Sequence, residues 1–171
     1  MASFEIWKKV VLNAGRKSSK DYQKEFKEKN VALNPQVLDA LKGYKFASFP
    51  KTTEVKLTLV PVKALVDGYG MQLLQMGDLI ARLPIAWCSF EIAFALRGQY
   101  LDQPRDEKIW IGTKPIESVK RKKGYDDIVR RLLFIGNHEH QLSLSIGQGG
   151  KFGPSGLLNS DQLLAFVMKE A

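Results

Sequence analysis

Seven cations crowd into residues 114–131: Lys114, Lys120, Arg121, Lys122, Lys123, Arg130 and Arg131 stand against only Glu117, Asp126 and Asp127. Lysine and arginine at this density neutralise phosphates and release their condensed counterions, while flat rings nearby give unpaired bases a surface to stack on. The rings in reach are Trp110, Tyr125, Phe134 and Phe152. Phe134 falls in a strand whose apolar side must pack, so it reads as core. Tyr125, beside the lysine run, reads as the stacking ring, with Trp110 as a second. The candidate nucleic-acid-binding set is therefore Lys120, Arg121, Lys122, Lys123, Tyr125, Arg130, Arg131 and, from a later glycine-rich loop, Lys151.

Other chemistries fit less well. Residues 147–156 are rich in glycine and lead from a strand toward an expected helix, as a phosphate-binding loop does, but Phe152 follows Lys151 where a hydroxyl residue would be needed, and that helix begins too late. His138 and His140 would share one side of a strand, yet the remaining ligands of a metal site would have to come from carboxylates such as Glu139, Asp126 or Asp127. Cys88 lies in an apolar run, where a small buried thiol is the ordinary explanation. Ser145 has no glycine two residues before it, so it forms no nucleophile elbow. No catalytic set, cofactor or metal is implied.

The excess of basic residues, 26 against 18 acidic, gives a net charge of +8 and favours a polyanionic partner. A hydrophobic share of 44% and a charged share of 26% describe a globular chain, and 171 residues fit one domain. One cysteine cannot form an internal disulfide, and residues 1–4 carry no secretory h-region, so an intracellular, cytoplasmic address is expected. The longest apolar stretch, residues 79–96, contains Arg82, Pro84 and Glu91 and is read as strands rather than a membrane span.

The elements that must position these residues follow from periodicity. Phe4, Trp7, Val10, Val11 and Ala14 recur at helical spacing, with Gly15 as a stop. A charged surface helix is expected over residues 19–30, with Tyr22 and Phe26 on its buried side. A third helix has Asn34 as N-cap, Pro35 at its first position and Gly43 past its end. Beyond residue 44 the period becomes two: strands are expected around residues 55–61, 90–96, 108–112, 130–135 and 141–146, with a turn at 136–140. Residues 71–82 are ambiguous and lean to strand because of their flanking and internal glycines. Ser160 caps an expected final helix carrying Leu163, Leu164, Phe166, Val167 and Met168. The expected fold is α+β in a single domain over residues 1–171. A helical N-terminal third (1–43) precedes a mostly antiparallel curved sheet closed by a C-terminal helix (44–171).

The order of basic strand, turn, strand, glycine-containing loop with a lysine, then Gly156-Leu157-Leu158-Asn159-Ser160-Asp161-Gln162-Leu163, resembles the positive-cofactor-four group of single-stranded-DNA-binding coactivators and their Whirly relatives. The resemblance covers residues 130–171. It implies Arg130 and Arg131 on a first strand, Gln141, Ser143 and Ser145 on the open face of a second, Lys151 in the loop, and a helix from Ser160 as the dimerisation or repeat-packing element.

The leading expectation is a non-enzymatic protein that binds single-stranded DNA or RNA, DNA favoured, with little sequence preference. It would act as a homodimer held by the terminal apolar face, with no membrane partner. The alternatives are an adaptor for an acidic partner protein and a metal-assisted hydrolase on His138 and His140.

Overall fold

A computed structural model describes residues 4–68, 70–148 and 156–170. Strands and helices alternate irregularly along the chain. The first half holds β1 (Lys8–Leu12), β2 (Gly15–Arg16), α1 (Ser19–Glu28), β3 (Ala32–Leu33), α2 (Pro35–Ala40), β4 (Ser48–Phe49) and β5 (Thr53–Pro61). Then come β6 (Gly70–Gln72), α3 (Met76–Ala81), β7 (Ile85–Ala86), α4 (Phe90–Gln99), β8 (Lys108–Ile111), β9 (Ile116–Lys122), β10 (Tyr125–His138), β11 (Gln141–Gly147), β12 (Leu157–Asn159) and β13 (Leu163–Met168). Nine of the strands form one mixed sheet, curled into a half-barrel, in the order β1-β5-β13-β8-β10-β11-β3, with β7 beside β13 and β9 beside β10. The β13–β8 and β11–β3 pairs are parallel.

The expected helices α1 and α2 are both present, α2 with the expected punctuation and α1 with a cap the spacing alone did not identify. Ser18 and Asp21 form a reciprocal capping box on α1, and Asn34 caps α2 with Pro35 in its first turn. Tyr22 and Phe26 are buried on α1, and Gly43, at φ +82, ends the turn after α2.

The expected architecture of a helical N-terminal third, antiparallel sheet and closing helix is corrected at four elements. Residues 8–12 form the strand β1, not a helix: Val10 and Leu12 are buried while Lys9 and Val11 face out, and β5 pairs along its full length. The three-and-four spacing from Phe4 to Ala14 therefore coincided with a period of two. The side-chain amide of Gln99 closes the free edge of β1, donating to the Val11 carbonyl at 2.8 Å and accepting its N–H at 2.9 Å.

The run from Phe90 to Leu96 is the helix α4, not a strand. Ser89 caps it, and Ala93 and Ala95, which mimicked the outward positions of a strand, are strong helix formers. This helix is enclosed nearly all round. Glu91 is buried and accepts from the Ala47 N–H at 2.5 Å, while Arg97 is buried with its guanidinium on Gln103 Oε1 and the carbonyls of Tyr100 and Gly136. Its Gly98 lets α1 approach closely, since a Cβ there would meet Glu25 Oε1 at 2.8 Å.

The chain closes with strands, not a helix. Leu163 to Met168 form β13, between antiparallel β5 and parallel β8, and Ser160 lies in the turn before it. A strand buried on both faces reads as a continuous apolar run, which periodicity cannot tell from a helix. Leu164 and Phe166 enter one core with α3, Met71 and Trp110, whereas Ala165 enters the other with α1, α2 and α4. The apolar face that argued for a homodimer is thus covered within the chain. Residues 71–82, expected as strand, split into the short β6, a single 3-10 turn and α3. Among the described residues no helix is long and apolar enough to cross a membrane.

Candidate nucleic-acid interface

The densest basic segment folds into a two-stranded ribbon. β9 and the first half of β10 pair from Tyr125↔Lys122 to Arg131↔Ile116, joined by Lys123 and Gly124, whose φ of +91 suits glycine. β11 pairs with β10 only from Leu132 onward, and β8 only from Phe134. Among the described residues the ribbon therefore leaves both its outer edges unpaired.

Because side chains alternate along a strand, the register sorts the ribbon into two faces. One carries Lys122 opposite Tyr125, Lys120 opposite Asp127, and Arg131 opposite Ile116. Tyr125 is 61% exposed there, and the Lys122 amine lies 5.5 Å from its ring centroid. The other face carries Arg121 opposite Asp126, Val119 opposite Ile128, and Arg130 opposite Glu117. Val119 and Ile128 are exposed, an apolar pair flanked by charge.

Not all the expected cations are available to a ligand. Lys122 Nζ holds Asp127 Oδ2 at 3.0 Å, a bond that raises its pKa, and Arg130 Nε holds Glu117 Oε1 at 2.9 Å. Lys120, Arg121 and Lys123 are exposed, and among the described residues no carboxylate pairs with them. Arg131 turns inward at the ribbon base. Its Nε is buried with no hydrogen-bond partner among the described residues, and with Lys120, Gln36 and Asp39 it lines a cleft of about 500 Å³ against α2. Lys151 and Phe152 lie outside the described residues.

Trp110 cannot stack on a ligand as expected, since it is buried, tilted against Phe134 at 4.9 Å with the Lys108 amine 4.3 Å from its ring. Phe134 packs against the core as its strand position required. On β11, Ser143 and Ser145 are half-buried and Gln141 donates to the Asn30 carbonyl, so that strand offers less open surface than the resemblance implied. The two histidines are separated by the turn: His138 ends β10, 3.9 Å from Asp106, and His140 sits at φ +66. No group of three or more potential metal ligands occurs among the described residues. Cys88 is buried, bonded to the Ala165 carbonyl, and burial pushes its thiol up to about 12.

One basic region had no weight in the reading of the sequence. Residues 1–60 hold twelve lysines and arginines against six acidic residues. Arg16, far in sequence from Lys42 and Lys45, lines one groove with them beside α1. Segment-by-segment charge would have pointed to this third of the chain, but only the fold unites these three. Comparison with known proteins finds no family model, no curated protein and no solved structure that matches this chain.

Proposed function

We propose that the protein binds single-stranded nucleic acid, without catalysis, through the β9–β10 ribbon. The observation that carries the reading is one ribbon combining an exposed tyrosine with three exposed cations, Lys120, Arg121 and Lys123, that no carboxylate among the described residues pairs with. Cations neutralise the backbone while the ring of Tyr125 accepts an unpaired base, a combination tolerant of sequence. Arg131 and Lys120, in the cleft at the ribbon base, hold a further phosphate, which supplies the missing partner for the buried Arg131 Nε.

Titration of labelled single-stranded DNA, duplex DNA and RNA at two salt concentrations tests this. Tighter binding of the single strands, weakening steeply with salt, is expected. Equal or tighter binding of duplex would remove the role given to Tyr125, and no binding at low salt would overturn the reading. A second reading rests on the Val119–Ile128 pair beside an unpaired strand edge: an acidic partner protein adding a strand along β9. Failure to bind nucleic acid would leave that reading in its place.

A further inference from the structure

Away from the ribbon, the start of α1 and the segment after α2 enclose a groove of about 400 Å³, within the range of small-molecule sites. Its floor is apolar and aromatic, with Leu41, Phe46 and Phe94 all buried. Its rim is cationic, and among the described residues no aspartate or glutamate lines it. Lys17 is committed to Glu25 at 2.5 Å, which leaves Arg16, Lys42 and Lys45 as exposed cations without acidic partners among the described residues. Tyr44 forms part of the wall. Its ring stands edge-on to Phe46 at 5.1 Å and to Phe90 at 4.9 Å, and its hydroxyl donates to Glu91, so the ring is held in place before any ligand arrives.

An aromatic floor under a rim of unpaired cations matches a ligand with a flat ring and a phosphate. A simple anion would make no use of the floor, and an uncharged ring would make no use of the rim. We propose that this groove binds a nucleotide, either free or as one unit of an unpaired strand, with the base against the Tyr44–Phe46 wall and the phosphate on Arg16, Lys42 and Lys45. The proposal stands apart from the ribbon, because no ribbon residue lines the groove. It also extends the path open to a strand. α2 borders both clefts, with Leu38 on the groove and Gln36 and Asp39 on the cleft of Arg131.

The test is calorimetric titration of the full chain with adenosine monophosphate, a short single-stranded oligoadenylate and inorganic phosphate. The titrations are run on the wild type, on the groove variant Arg16→Gln/Lys42→Gln/Lys45→Gln and on the ribbon variant Lys120→Gln/Arg121→Gln/Lys123→Gln. All six positions are exposed, and matched thermal unfolding confirms that both variants fold. The groove variant is expected to lose about tenfold or more in affinity for adenylate, and its salt slope on the oligonucleotide is expected to fall by about 0.7 per lost contact. The ribbon variant is expected to keep the wild-type response to adenosine monophosphate. Binding of the mononucleotide marks a free-nucleotide site, and binding of the oligonucleotide alone, lost in the groove variant, marks a strand subsite. Unchanged adenylate binding by the groove variant would overturn the proposal. So would a wild type that binds neither adenylate, or one that binds inorganic phosphate as tightly as adenosine monophosphate. Loss of binding in the ribbon variant alone would sink the groove and leave the ribbon standing, and the reverse result would do the opposite.

Discussion

Tyr125 presents most of its ring to solvent, immediately after the turn at Lys123 and Gly124, with the Lys122 amine near its face. Lys122 is anchored by Asp127, so the ring and its neighbouring charge form a fixed platform rather than two independent side chains. Truncating the ring removes a stack and leaves every phosphate contact in place. Tyr125→Ala is therefore expected to weaken single-strand binding by about 1–3 kcal/mol with the salt dependence unchanged. Fluorescence anisotropy at several salt concentrations measures both quantities. Unaltered affinity would show that no base rests on this ring. Arg130 and Arg131, adjacent in sequence, have different work: the first neutralises Glu117 on the opposite strand, the second faces the cleft beneath α2.

α4 ties the loop after it to β10 through a single buried side chain. The Arg97 guanidinium gathers the Tyr100 carbonyl, Gln103 Oε1 and the Gly136 carbonyl, and Gln103 in turn accepts from Asn137 through its own carbonyl. Arg97→Ala leaves those acceptors buried and unmet, so a loss on the order of 3 kcal/mol is expected in urea unfolding. A loss below about 0.5 kcal/mol, ordinary for an exposed site, would contradict the enclosure of this helix. The same enclosure explains which elements the sequence disclosed. α1 and α2 were legible because caps, Pro35 and one-sided apolar spacing are local signals. α4 and β13 exchanged identities because each is buried on both sides: with no wet face, the alternation of large and small residues in α4 and the apolar run of β13 do not separate helix from strand. The ribbon's cations stood out by density alone. The pairing of Lys122 with Asp127 and Arg130 with Glu117 needed the register, and the groove cations needed the tertiary fold.

The molecule as a whole is basic, and it keeps several ionisable groups neutral by burying them. Burial is the first cause raising Cys88, Tyr22, Tyr44 and Tyr100, each to about 12, from ordinary values of 9.0 for the thiol and 10.0 for the phenols. Carboxylates add to the effect on the tyrosines, Glu91 for Tyr22 and Tyr44, and Glu107 for Tyr100. Above pH 9 the unfolded chain releases these protons while the folded chain retains them, so the unfolded state binds fewer protons and stability falls as pH rises toward 12. Thermal unfolding from pH 7 to pH 11 is expected to show a flat region followed by a steady fall in Tm. A Tm that holds through pH 11 would mean these groups ionise in place. Charge also carries the account's central claim, that the ribbon meets a polyanion through Lys120, Arg121 and Lys123. The most direct measurement is the slope of log affinity against log salt for single-stranded DNA, compared between the wild type and Lys120→Gln/Arg121→Gln/Lys123→Gln. Three lost phosphate contacts are expected to lower that slope by about 2, while Tm stays within a few degrees of the wild type. An identical slope in the two proteins would mean that the ribbon is a solvated face, and the account would fail.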